Sequence, residues 1–166
     1  TGVGYNADNT ASNSVVIGNA SVSSIGGYSN WSNLSDGRFK RNVAEDVMGL
    51  DLIMKLRPVT YNMNIRKIES NFDEKDTMWE GKYDKEQIKY TGFIAQEVEA
   101  AANSIGYDFS GVDTPKNDND FYGLRYAEFV VPLVKGMQEQ QKIIEEQAER
   151  ITKLEEAVKV LLSKSE

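Results

Sequence analysis

The stretch Asn33-Leu34-Ser35-Asp36-Gly37-Arg38-Phe39-Lys40 holds a serine and a lysine five residues apart, with an aspartate and a glycine between them. A serine hydroxyl is a poor nucleophile until a base takes its proton. The chain contains no histidine and no cysteine. That excludes a Ser-His-Asp triad, thiolate chemistry, disulfides and His-ligated metal sites together, and nothing in the pattern calls for a metal or a cofactor. The bases that remain are carboxylates and neutral lysine. Lysine serves when apolar surroundings disfavour its charged form, and the neighbouring cation Arg41 pushes in the same direction. Gly37 would allow a turn tight enough to return Lys40 to Ser35. The same residues have a plainer use, because Ser35 or Asp36 can N-cap a helix.

The segment also marks a seam in composition. Residues 1–34 carry one charge, Asp8, and all 19 basic residues lie downstream. A length of 166 residues suits about one ordinary domain, and 40% hydrophobic content is enough for a core. The net charge of −7 shows no basic cluster standing above the acidic background, which argues against a nucleic-acid or anionic-membrane partner. No apolar run approaches the roughly 20 residues that span a bilayer. The opening "TGVGYNADNT" reads as the middle of a repeat, so a longer parent chain is expected.

Three consecutive regions are expected to position the serine and lysine. Residues 1–34 are mostly Ser, Thr, Asn, Gly and Ala, with apolar beads at Val15-Val16-Ile17-Gly18 and Val22-Ser23-Ser24-Ile25-Gly26. The two Ile-Gly pairs are eight residues apart, a spacing that suits very short strands winding as a β-helix or β-roll, with identical neighbours completing the apolar face. A flexible Gly/Ser linker is the alternative, but Val-Val-Ile is β-branched and favours strand.

Residues 35–126 are expected to form a small mixed α/β domain. Leu50–Leu56 is a helix-length apolar pattern stopped at Arg57-Pro58, since the residue before proline is driven out of the helical region. Val59–Asn64 and Ile88–Ile94 alternate as strands do, and the second leads into a helical Ala95–Ala101. The polar stretch between them, about 65–87, is long for a hairpin loop. Its Phe72 and Trp79 are expected to form a local mini-core, with an exposed gripping surface as the alternative.

Residues 127–166 carry the clearest period. One heptad position reads Val130, Met137, Ile144, Ile151 and Val158; the other reads Leu133, Gln140, Gln147, Leu154 and Leu161. This predicts a coiled coil, with Gln140 and Gln147 placing amides in the seam at a cost in stability. The heptads specify an oligomer; their β-branched/Leu pattern alone leans towards two strands, while the Gln layers leave the order open.

Four motifs in order, "LSDGRFKRNV", "GLDLIMKLRPVTYN", "YTGFIAQEVEAA" and "YGLRYAEFVVPLVKGMQEQQ", resemble the C-terminal intramolecular-chaperone, self-cleaving peptidase domain of phage endosialidases, tail fibres and neck appendages. The resemblance covers residues 35 to about 145. The family signature Ser-Asp-x-x-x-Lys is met by Ser35, Asp36 and Lys40. It implies a homotrimer that helps an upstream β-helical stalk to fold, then releases itself by cutting Leu34-Ser35, with Ser35 as nucleophile and Lys40 as general base. The partners implied are the chain itself and its own stalk. Assembly would take place in a host or bacterial cytoplasm, and the mature fibre would stand on a virion or cell surface. The long 65–87 segment would be an arm that holds the stalk.

The fold class expected is therefore α+β, with a short stalk end, a mixed domain and a C-terminal coiled-coil helix. Two rival functions stay open: a non-cleaving trimerisation module of a fibre or adhesin, and an ordinary serine hydrolase acting in trans, for which no substrate-pocket signature is present.

Overall fold

The computed structural model describes residues 1–7, 9–71 and 80–164. The chain folds into two compact units that do not follow chain order: residues 1–43, 57–96 and 113–123 in one, and 44–56, 97–112 and 124–166 in the other. The expected boundaries at 34/35 and 126/127 therefore cut across units built from separate stretches.

The first unit begins with a parallel strand pair, β1 (Gly2–Val3) against β2 (Val16–Ile17), in the register Gly2↔Val16 and Val3↔Ile17. The step is fourteen residues, not the eight read from the Ile-Gly pairs. Val22–Gly26 forms no strand. Corners of this coil take left-handed backbone at Gly4, Asn6, Asn13 and Gly18. Asn is tolerated there, and glycine is demanded at Gly18, where an added Cβ would sit 2.4 Å from Val22 Cγ2. Asn9 fills the bend by donating from Nδ2 to Ser14 O at 2.7 Å and accepting from Ser14 Oγ at 2.6 Å.

The same unit contains the antiparallel pair β3 (Val59–Tyr61) and β4 (Tyr90–Gly92), with Thr60 opposite Thr91 and the Tyr61 and Tyr90 rings stacked at 5.8 Å. β3 ends three residues earlier than its alternation suggests. Asn62 spends its side chain on Ile88 O at 2.8 Å, and Asn64 becomes a helix cap. That cap opens α2 (Ile65–Ser70), where Asn64 Oδ1 accepts from Lys67 N at 2.9 Å and Ile65 is fully buried. A 3-10 turn at Asp84–Gln87 closes the excursion. The expected mini-core of Phe72 and Trp79 lies outside the described residues.

In the second unit a four-residue helix, α1 (Leu50–Ile53), packs on the long C-terminal helix α4 (Val130–Ser163, 34 residues). α1 is shorter than the Leu50–Leu56 pattern because the chain tightens after Ile53, with Lys55 N donating to Leu52 O at 3.0 Å and Leu56 N to Ile53 O at 3.3 Å. Its first free N–H, on Leu50, donates to Glu139 Oε2 of α4 at 2.8 Å. Leu52 is fully buried. Between them in sequence comes α3 (Ala95–Asn103), of which Val98 and Ala102 are buried. Phe109 meets Phe129 edge to face at 4.9 Å, and Tyr107 and Tyr126 stack on them. Short strands β5 (Val112–Asp113) and β6 (Gly123–Leu124) pair. No helix among the described residues is long and apolar enough to cross a membrane.

Candidate active site

Ser35 follows a stretch without regular secondary structure, and what comes after it is a tight turn. Asp36 takes β-region backbone (φ −72°, ψ 126°) and N-caps a 3-10 turn at Gly37–Phe39. Phe39 N donates to Asp36 O at 3.1 Å and Lys40 N to Gly37 O at 3.2 Å. Lys40 leaves the turn extended, and its Nζ donates to Ser35 Oγ at 2.9 Å. The two residues picked out by type and spacing thus meet within hydrogen-bond distance. The plainer role falls to Asp36, not Ser35, since Asp36 is the residue that caps.

Asp36 is held twice over by one neighbour. Its carboxylate accepts from Arg38 Nη2 at 2.6 Å, from Nε at 3.0 Å and from the Arg38 backbone N–H at 2.9 Å. The Arg38 side-chain bonds, then that backbone bond, hold the Asp36 carboxyl below the usual carboxylate range against a small opposing effect of burial. The same pairing raises the Arg38 guanidinium. Arg38 also lies 5.9 Å from the Phe39 ring centroid.

Two expectations need correction. Gly37 has no left-handed backbone, and an added Cβ would meet nothing within 4 Å, so the turn does not require glycine. Ser35 and Lys40 are also both exposed, and Leu34 is 81% exposed. The apolar surroundings that a lysine base needs are not supplied by this unit of the single chain.

A second cluster in the same unit engages the segment upstream of Ser35. Lys85 Nζ donates to Ala20 O at 2.9 Å and to Val22 O at 2.7 Å. Ser21 Oγ, between those carbonyls, donates to Glu69 Oε1 at 3.4 Å. Glu69 is held in turn by Lys82 Nζ at 2.9 Å, with both side chains almost wholly buried. Arg66 pairs with Glu86 at 2.5 Å and lies 4.1 Å over the Tyr83 ring, fastening α2 to the Asp84–Gln87 turn. Sequence reasoning marked this stretch as an arm but singled out none of these residues. Glu69 and Lys82 are thirteen apart, which no helical or strand period brings together.

The heptad positions on α4 are uncovered. Val130, Leu133, Met137, Ile144, Ile151, Leu154, Val158 and Leu161 are 47–70% exposed, and Gln140 and Gln147 are exposed with them. Only Pro132 and Gly136 of α4 are buried. An apolar stripe of this length on one helix is what a coiled-coil partner covers.

Residues 35–107 match the protein-family model described as chaperone of endosialidase. No curated protein and no solved structure matches the chain.

Proposed function

We propose that this chaperone domain trimerises through α4, nucleates folding of a β-helical fibre continuous with residues 1–34, and then cuts itself from that fibre between Leu34 and Ser35. The observation that carries the chemistry is the 2.9 Å contact of Lys40 Nζ with Ser35 Oγ, one residue beyond the bond to be broken. With Lys40 neutral the bond reverses and the hydroxyl donates to Nζ. Lys40 takes that proton as Oγ attacks the Leu34 carbonyl carbon. The C–N bond then breaks, and the proton passes from Nζ to the departing amide nitrogen of Ser35. The product is an ester between Leu34 and Ser35 Oγ, with a free Ser35 amine. Water hydrolyses the ester, leaving a Leu34 carboxylate and the original serine hydroxyl.

The order of events has a physical reason. Strands as short as Gly2–Val3 and Val16–Ile17 bury little by themselves, and stalks woven from separate chains fold slowly and mispair. A coiled coil raises the effective concentration of the three ends and sets their register. Once the nucleating domain has gone, the fibre is kinetically trapped, since refolding would need the lost aid. Tyr28, Trp31, Leu34, Phe39 and Val43 are all exposed large apolar side chains around the cut. Neighbouring copies that covered them would also desolvate Lys40.

One observation favours the non-cleaving trimeriser instead: in the single chain Ser35 and Lys40 are open to water. Mass spectrometry of freshly purified protein separates the two. Scission yields pieces of about 3 and about 15 kDa by residue count, absent from Ser35→Ala; a persistently intact wild-type chain under assembly conditions rejects the cutting reading.

A further inference from the structure

The contact between Ser35 and Lys40 joins two exposed side chains, so something local must hold them together. The backbone of the 36–40 turn offers two hydrogen bonds, at 3.1 and 3.2 Å. A single 3-10 turn with so little support does not persist in water. Lys40 itself is extended (φ −92°, ψ 139°), and the direction in which its side chain leaves is fixed by the turn before it. The additional fastening comes from one carboxylate, which accepts from the backbone N–H, Nε and Nη2 of Arg38.

We propose that Asp36 is a positioning residue: its carboxylate, clipped to Arg38, folds the turn that sets Lys40 Nζ against Ser35 Oγ. This rests on the reading of Ser35 and Lys40 as a catalytic pair. Both Asp36 oxygens are engaged by Arg38, so the carboxylate is not the group that takes the serine proton. The division of labour between the two Arg38 contacts follows from exposure. The Arg38 side chain is 82% exposed, and ion pairs so open to water contribute little by themselves. The side-chain cap on the Arg38 backbone N–H is the stronger element, because it satisfies a donor that the turn leaves orphaned.

Three substitutions in the full-length chain separate cap from charge. Asp36→Ala removes both and slows scission about five- to thirtyfold, the rate equivalent of a lost N-cap. Asp36→Asn keeps a cap acceptor as good as aspartate and recovers the rate to within about threefold of wild type. Arg38→Ala leaves the cap and costs less than Asp36→Ala. In a Ser35→Ala background, hydrogen exchange of the 36–40 segment measured by mass spectrometry should speed up with Asp36→Ala and not with Asp36→Asn. Asp36→Asn as slow in scission as Asp36→Ala, or exchange unmoved by Asp36→Ala, overturns the clip. A wild-type chain that never cuts rejects the catalytic pair, and the exchange measurement then decides independently whether Asp36 forms the turn.

Discussion

Gly49 and Gly136 face one another where α1 meets α4, so closely that a Cβ built on Gly49 would lie 2.6 Å from Gly136 N and 2.8 Å from Lys135 Cγ. The reverse is not true. A Cβ on Gly136 meets Gly49 C and Leu50 N at 3.5 Å, which is ordinary contact. Gly49→Ala must therefore move backbone and should destabilise by about 1–3 kcal/mol, as overpacking does. Gly136→Ala gains helix propensity and should be neutral or stabilising by up to about 1 kcal/mol. Denaturant melts of the two variants test the asymmetry, and equal losses would contradict it.

The cluster of Glu69, Lys82 and Lys85 gives a second test. Removing one partner of a buried ion pair leaves the other charge uncompensated, which typically costs about 3–5 kcal/mol. Lys82→Met should destabilise on this scale, and adding Glu69→Gln should recover part of the loss. Lys85→Met should act differently. It frees the carbonyls of Ala20 and Val22, so hydrogen exchange should rise around residues 19–23 with little change in the global melt.

How much of this was legible depended on how local each signal was. Alternation located β3 and β4, and the apolar period located α3 and α4, because each element's burial is written along its own few residues. The strand after Pro58 ran short because Asn62 and Asn64 use their side chains on the backbone, competing with the ladder. The parallel step of fourteen was hidden, since it is set by left-handed corners at Asn6 and Asn13 and by the side chain of Asn9, not by the beads themselves. At the candidate site, the spacing of Ser35 and Lys40 pointed to a contact that does form. Arg38 was passed over because it occupies a position the motif leaves open, and its role exists only once the turn is folded.

Acid should loosen one long-range contact. Asp120 accepts from the Lys116 and Phe121 backbone N–H groups and from Thr10 Oγ1 at 3.1 Å. The Lys116 backbone bond is the largest of the causes that hold its carboxyl below the usual value of 3.8. A depressed folded-state pKa means that the stabilisation is present above the unfolded value and is lost as pH falls through the folded one. The Thr10 and Lys116 amide resonances should thus stay fixed from neutral pH down to about pH 4 and shift only below it. A midpoint above the ordinary aspartate value would contradict this.

The exposed stripe on α4 predicts assembly. The full chain should be a parallel trimer, and a chain lacking residues 137–166 should give monomers or aggregates, since that removes most of the seam. Light scattering decides, and a monomer mass for the full chain would reject the proposal. Ile144→Asp should act like the truncation, because a charge at the centre of a packed layer is desolvated without a partner.

The last prediction concerns the pair itself. Ser35→Ala removes the nucleophile and Lys40→Ala the base, so both should remain full length while still assembling, because neither touches the α4 seam. Lys40→Arg keeps a long cation that can still reach Ser35 Oγ, yet a guanidinium stays protonated at any pH a protein survives. It should be as inactive as alanine, which separates a base from a mere tether. If lysine is the base, scission in the wild type should accelerate as pH rises, because only the neutral amine can take the serine proton. Mass spectrometry of timed samples across a pH series measures this. Cutting by Lys40→Arg at the wild-type rate would mean that lysine is not the base, and the domain would then be a trimeriser whose Ser35 and Lys40 merely stabilise a turn.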